Sequence, residues 1–176
     1  SLKIINIARF TDQKDHITLL KAFKIINTKI NAELLIMGYG ENKKIIQNYV
    51  AKNNLEEKIK VIGFQKNPYP FIKKSDIFIL SSLYEGLPNV LLEAITLKKF
   101  IISSDCPTGP KEILEGGKYG FLFKVKDKYQ LAKLIIKYSE NKKLYNKKIV
   151  PAYKSLQKFD FDICCNKYLS LIKKVI

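Results

Sequence analysis

The stretch that decides the fold is Ile77–Ser103, IFILSSLYEGLPNVLLEAITLKKFIIS. Ile77–Leu80 is an uninterrupted apolar run of strand length, the pattern of a strand buried on both faces. Ser81–Leu87 reads as a loop, and Pro88 stands near the first turn of a helix, where proline is tolerated. Apolar residues continue at helical spacing to about Leu97, and Phe100–Ser103 is the next buried strand. A strand, a helix and a strand in such quick succession imply a parallel pair joined by a right-handed crossover.

The same alternation extends in both directions. Leu2–Ala8 reads as a strand, and Lys14–Ile30 as a helix with Ile17, Leu20, Phe23, Ile26 and Ile30 on one face. Ala32–Met37 is a second strand ended by Gly38-Tyr39-Gly40. Asn42–Lys52 is a helix, Ile59–Ile62 a strand, and Phe71–Lys74 a short helical turn behind Asn67-Pro68-Tyr69-Pro70. Downstream come a brief helix at Pro110–Leu114 and a sixth strand at Gly120–Phe123. Helices follow over Asp127–Glu140, Lys142–Leu156 and Ile163–Val175. Six strands alternating with helices predict an α/β domain, a Rossmann-like parallel sheet covered on both faces. Residues 1–176 form a single such domain. Ser1 leads directly into the first strand, as expected of a piece of a longer chain.

Composition narrows the function classes. With 47% hydrophobic and 27% charged residues, the chain suits one compact domain rather than a disordered tail. No run reaches the ~18 apolar residues of a membrane-spanning helix. The net charge of +16 invites a nucleic-acid partner. Against that, 31 of the 32 basic residues are lysines, beside 25 isoleucines, the mark of A/T-rich codon usage. The densest lysines (Lys137, Lys142, Lys143, Lys147, Lys148) lie on the carboxyl-terminal helices, away from the strand ends. We therefore expect solvated lysines and no nucleic-acid partner, with some attraction to anionic lipid headgroups. Cys106, Cys164 and Cys165, with the single His16, give no metal-ligand spacing and suit core or surface thiols in a reducing compartment. His16, on the first turn of a helix, reads as a surface or capping residue.

Ligands of an open parallel sheet bind beyond the carboxyl ends of its strands. Arg9 follows the first strand, and Lys14 stands near the next helix start. Arg9 can offer a planar fork and Lys14 a point charge to one diphosphate. Glu85 lies in the loop after the fourth strand, with Gly86 beside it for close approach. Glu93 lies inside the following helix among Val90, Leu91, Leu92, Ala94 and Ile95, with no lysine at helical pairing distance. A carboxylate there needs donors from elsewhere, either a distant lysine or paired hydroxyls such as those of a ribose. Between the two carboxylates, the helix start at Pro88–Val90 presents free N–H groups and a positive dipole end to a phosphate.

These residues resemble the nucleotide-sugar half of the retaining glycosyltransferases of family four, also called group one. Arg9…Lys14 resembles the family's R-x4-K, IMGYGE its (V/I)xGxGp turn, and IKVIGF its VxFlG strand. Glu85…Glu93 resembles the E-x7-E signature within EGxPxVLLEA, and FIISSDCPTGPKEIL resembles PvIasdcpgGpxEIL. Ala8 and Lys99 depart from the pattern, at positions outside the ligand contacts. The resemblance implies the carboxyl-terminal half of a GT-B fold. Its catalytic residues are Glu85, Arg9 and Lys14: the two cations hold the donor diphosphate and Glu85 meets the transferred sugar. The wider donor site comprises Gly38, Gly40, Gly63, Phe64, Gly86, Leu87, Pro88, Asn89, Val90 and Glu93. Gly63–Phe64 would read the base and Glu93 would hold the ribose. No metal and no cofactor are implied; the substrate is a nucleoside-diphosphate sugar, UDP favoured.

By the same resemblance, a hexose or N-acetylhexosamine goes with retention to a glycan or lipid-linked acceptor held by a missing amino-terminal domain. The setting is surface polysaccharide or lipopolysaccharide synthesis, cytoplasmic or peripheral at the inner face of the membrane, and the piece alone is inactive. Alternatives are a GT-B nucleotide-sugar epimerase, a phosphorylase, or a basic nucleic-acid-binding module. A nicotinamide- or flavin-binding fingerprint is incomplete, because Gly38-Tyr39-Gly40 lacks the third glycine.

Overall fold

In the computed structural model, which describes residues 1–175, the apolar runs form six strands. They are β1 (Leu2–Ile7), β2 (Ala32–Met37), β3 (Ile59–Ile62), β4 (Ile77–Leu80), β5 (Phe100–Ser104) and β6 (Phe121–Phe123). The sheet order is β3-β2-β1-β4-β5-β6, and every pairing is parallel. The order reverses between β1 and β4, which places the crevice of a doubly wound sheet at the carboxyl ends of those two strands.

Nine helices lie among the described residues: α1 (His16–Asn27), α2 (Lys43–Lys52), α3 (Tyr69–Lys74), α4 (Asn89–Thr96) and α5 (Pro110–Ile113), then α6 (Lys128–Glu140), α7 (Lys142–Asn146), α8 (Ile149–Ser155) and α9 (Phe161–Val175). Alternate strand residues point to opposite faces, so each face has its own core. Ile4, Leu34, Ile36 and Ile102 pack beneath Leu20 and Phe23 of α1 and Ile135 of α6. Ile5, Phe78, Leu80 and Ile101 pack beneath Leu91 and Ile95 of α4, with Ile72 and Ile113.

Two boundaries differ from the expectation for a physical reason. The helix expected from Lys14 begins at His16, because Asp12–Lys14 forms a separate turn of 3-10 helix and Asp15 adopts φ 42. The Asp15 carboxylate then caps α1 by accepting from the Thr18 amide at 3.2 Å. The helix expected over Lys142–Leu156 is two, α7 and α8, with a break at Lys147–Lys148. Pro151 causes it: proline has no N–H to donate to the Lys147 carbonyl, and it is accommodated only in the first turn of a new helix. Lys99, one of the two departures from the family pattern, donates to the carbonyls of Lys73 and Ser75 at 2.7 and 2.8 Å and so closes the end of α3. No helix of the described residues is long and apolar enough to cross a membrane.

Candidate functional site

The loop after β1 is stitched to the loop after β2. The Ala8 amide donates to Met37 O (3.1 Å), Phe10 N to Tyr39 O (2.6 Å) and Asn42 N to Phe10 O (2.9 Å). Phe10 is fully buried and anchors this crossing. The fit is close enough that a Cβ on Gly38 would lie 1.9 Å from the Ala8 carbonyl oxygen, and one on Gly40 (φ 142) 2.5 Å from that of Phe10. These two glycines let two loops touch backbone to backbone. Arg9, projecting from this crossing, is exposed and makes no ion pair among the described residues.

The 3-10 turn before α1 is stitched instead to the loop after β4. Leu83 N donates to Gln13 O (2.8 Å), Gln13 Nε2 to Tyr84 O (2.9 Å) and Ser81 Oγ to Lys14 O (2.9 Å). This brings Lys14 Nζ to 2.7 Å from Glu85 Oε1, with the two side chains only 15% and 7% exposed. Ser82 Oγ donates to the same carboxylate oxygen at 2.6 Å. Glu85 is thus half of a buried ion pair. The pairing lies across the β1–β4 junction and had no signal in local spacing. An ammonium has three donors, so two of Lys14's remain for another acceptor.

Glu93 sits one turn into α4, half-buried. Among the described residues its carboxylate has no hydrogen bond and no ion pair, so the distant lysine partner is not there. Burial raises its pKa above the usual carboxylate value. It lines a cavity of about 360 Å³ with Ile7, Gly38, Phe64, Tyr69 and Val90. At the mouth Phe64 is 66% exposed and meets Tyr39 edge to face, with ring centroids 5.9 Å apart. Exposed aromatic rings beside a cavity are a hydrophobic surface left free for a planar ligand group. Tyr39, hidden between two glycines in the sequence, was missed as a candidate. A Cβ on Gly63 or on Gly86 would meet nothing within 4 Å, so the open sides of both glycines face the solvent.

Between Glu85 and Glu93 the chain enters α4. Pro88 precedes the helix in an extended conformation and no side chain caps it. The amides of Gly86, Leu87 and Asn89 have no partner among the described backbone and side-chain acceptors. Cys106 is buried beyond β5; burial, with the Glu85 charge nearby, raises its thiol pKa, so it is held as an unreactive thiol. No group of three or more His, Cys, Asp or Glu among the described residues is arranged to hold a metal ion.

His16 corrects the sequence reading. It is 3% exposed, edge-on to Phe10 at 5.3 Å, and neither ring nitrogen has a partner in the protein. It shares the buried face of α1 with Leu19, Leu20 and Phe23, the spacing that could have revealed it. Burial first, and the Lys14 charge second, lower its pKa to about 4. The folded value lies below the unfolded one of about 6.5, so the unfolded chain takes up the proton first as pH falls. Stability from this residue is complete above pH 6.5 and is lost on acidification toward pH 4. We expect a loss of about 2 kcal/mol between pH 7 and pH 5, absent in His16→Gln, in urea titrations at the two pH values. A His16→Gln chain with the same pH slope would show that another group carries it.

Comparison with known proteins identifies the family and the fold. Residues 1–155 match the family model for glycosyl transferases group 1. Among relatives, the N-acetylgalactosamine-N,N'-diacetylbacillosaminyl-diphospho-undecaprenol 4-alpha-N-acetylgalactosaminyltransferase of Campylobacter jejuni is 28% identical over 94% of this chain and 46% of its own. Of solved structures, TarM of S. aureus, a mutant in complex with fondaparinux, alpha-GlcNAc-glycerol and UDP, superposes with a TM-score of 0.89 at 22% identity, over 96% of this chain and 35% of its own. The C-terminal domain of a group 1 family protein of Francisella tularensis superposes with 0.80 at 24% identity, over 90% and 87%. The chain spans at most half the length of the first relatives it matches. With its Rossmann-like sheet shared with GT-B enzymes and the family model matched over most of its length, the chain belongs to the group 1 glycosyl transferases.

Proposed function

We propose that this chain is the carboxyl-terminal, donor-binding half of a longer retaining glycosyltransferase. It takes a hexose or N-acetylhexosamine from a nucleoside-diphosphate sugar, UDP favoured, and passes it to a glycan or lipid-linked acceptor. The acceptor is bound by an amino-terminal domain, and the half alone is inactive. The setting is surface polysaccharide or lipopolysaccharide synthesis at the cytoplasmic face of the membrane, with the lysine-rich surface drawn to anionic lipid.

The observation that carries the reading is Glu93. An unpartnered, half-buried carboxylate is costly unless something donates to it. Its cavity lies at the carboxyl ends of β1 and β2, lined by Ile7, Met37 and Gly38, with the exposed aromatic Phe64 and the cation Lys66 also lining it. A nucleotide supplies what this arrangement lacks: paired ribose hydroxyls for Glu93, a flat base for Phe64 and Tyr39, and a diphosphate for Arg9, Lys14 and the amides at the start of α4. Glu85 keeps Lys14 in place through Oε1, leaving Oε2 to accept from a hydroxyl of the transferred sugar. As the sugar leaves, negative charge grows on the diphosphate, and the two cations and the helix dipole stabilise it there.

Calorimetry tests the assignment. Glu93→Gln should weaken UDP by about 1–2 kcal/mol, the size of a charge-assisted hydrogen bond, and leave the 2′,3′-dideoxy analogue unchanged. Equal losses for both would remove the ribose role. Arg9→Lys should cost a similar ~1–2 kcal/mol for any nucleoside diphosphate, because an ammonium cannot reproduce the bidentate fork. Unchanged affinity would refute the clamp.

A further inference from the structure

The loop between β4 and α4 is gripped from the side by the loop after β5. One residue of that second loop has a backbone conformation that a β-branched side chain avoids. Thr108 sits at φ 61, in the left-handed region that is sterically unfavourable for a β-branched residue. There its hydroxyl donates to the backbone carbonyl of Glu85, with the Pro107 carbonyl also within reach at 2.7 Å. Gly109 follows at φ 66, and a Cβ on it would lie 2.0 Å from the Gly86 carbonyl oxygen and 2.6 Å from Cδ of Pro88. From the strand ends, Ser104 Oγ donates to Ser82 O at 2.7 Å, and Ser82 in turn holds the Glu85 carboxylate. The segment Glu85–Pro88 is thus fixed through a carbonyl, a close backbone contact and a carboxylate. The amides of Gly86 and Leu87 within it, and of Asn89 just after it, are left unengaged.

Strain of this kind persists where the surroundings over-determine it, and it commonly serves a site. We propose that Thr108 and Gly109 are positioning residues for the donor loop. They hold the peptide planes of Glu85–Pro88 so that the amides at the start of α4 meet the outer phosphate of the donor without reorganising. This rests on the donor-binding reading given above. The phosphate charge is then received by N–H groups already in place, which is where preorganised dipoles gain most over water. Thr108 touches no reacting group. It acts through the Glu85 carbonyl, and Gly109 acts by leaving room for the Gly86 carbonyl.

The test uses the purified chain with Thr108→Val, which keeps the shape and removes the donor, and Thr108→Ser, which restores it. Thr108 is exposed, so both variants should fold. In backbone 15N relaxation, Gly86, Leu87 and Asn89 should fall from about 0.85 toward 0.6 or below in order parameter in the valine variant, while α4 stays rigid. Thr108→Ser should match the parent. In calorimetry the valine variant should lose about tenfold in UDP affinity and less than about twofold for UMP, which lacks the outer phosphate. Gly109→Ala should show the same selectivity for UDP over UMP, since its side chain would push the Gly86 peptide. Unchanged order parameters in Thr108→Val would overturn the positioning role, and so would equal losses for UDP and UMP. If the parent chain binds neither nucleotide, the donor reading fails on its own, while the relaxation data still decide whether Thr108 holds the loop.

Discussion

Replacing Lys14 by methionine should lower the unfolding free energy by about 3–5 kcal/mol, beyond any loss of ligand binding. The reason is the carboxylate it leaves behind. Glu85 is 7% exposed and keeps only the Ser82 hydroxyl once the ammonium 2.7 Å away is gone. Removing one member of a buried pair leaves an uncompensated charge in a poorly solvated place, and that costs far more than the pair itself contributes. The double variant Lys14→Met with Glu85→Gln should therefore recover most of the stability, because the neutral amide carries no charge to desolvate. It should not recover nucleotide binding, since the cation is still absent. Urea titrations of the three chains separate the two effects. A loss below about 1 kcal/mol in the single variant would mean that the pair behaves as an exposed one.

Gly38→Ala should cost more than about 3 kcal/mol, at the upper end of what overpacking does, and lower the melting temperature by roughly 10 °C for a chain of this size. The added Cβ would stand 1.9 Å from the Ala8 carbonyl oxygen and 3.0 Å from the Phe10 ring. Neither can step aside cheaply. Ala8 is bonded to Met37, the Gly38 amide donates to Ile62 O at 3.2 Å, and Phe10 is completely buried. Relief has to come from parting the loops after β1 and β2, which would also displace Arg9. Gly63→Ala is the matching control: nothing lies within 4 Å of its Cβ position, so its melting temperature should barely move. Equal effects at the two glycines would show that the chain relaxes where the static geometry says it cannot.

The strands were legible because each is an apolar run too short for a helix and bounded by turn residues, as Ile77–Leu80 and Phe100–Ser104 illustrate. Helix ends were less so, and the break between α7 and α8 went unread although Pro151 marked it. Glu93 was legible as an oddity, a carboxylate in an apolar helix with no local partner, and the structure leaves it unpartnered. The Lys14–Glu85 pair was not, because its members stand 71 residues apart and meet only through the junction of β1 and β4. His16 was misplaced for a local reason. Its place on the first turn suggested an exposed or capping residue, but its spacing with Leu19, Leu20 and Phe23 puts it on the buried face of α1. Interactions within a turn or a helix are written in local spacing. Interactions across a sheet are written in topology, which has first to be assembled.

The strand order has a consequence for how the chain comes together. β1, β2 and β3 are joined in succession, as are β4, β5 and β6, but the pairing of Ile4 with Ile77 closes a loop of more than seventy residues. Long loops are entropically expensive to close, and contacts of that range slow folding. Arg9, Lys14 and Phe64 lie on one side of this seam, Glu85 and Glu93 on the other. A molecule that binds both sides at once is a cross-brace over the costliest join in the sheet. Its binding energy adds to the cohesion of the two halves, so occupancy and foldedness of this chain rise together.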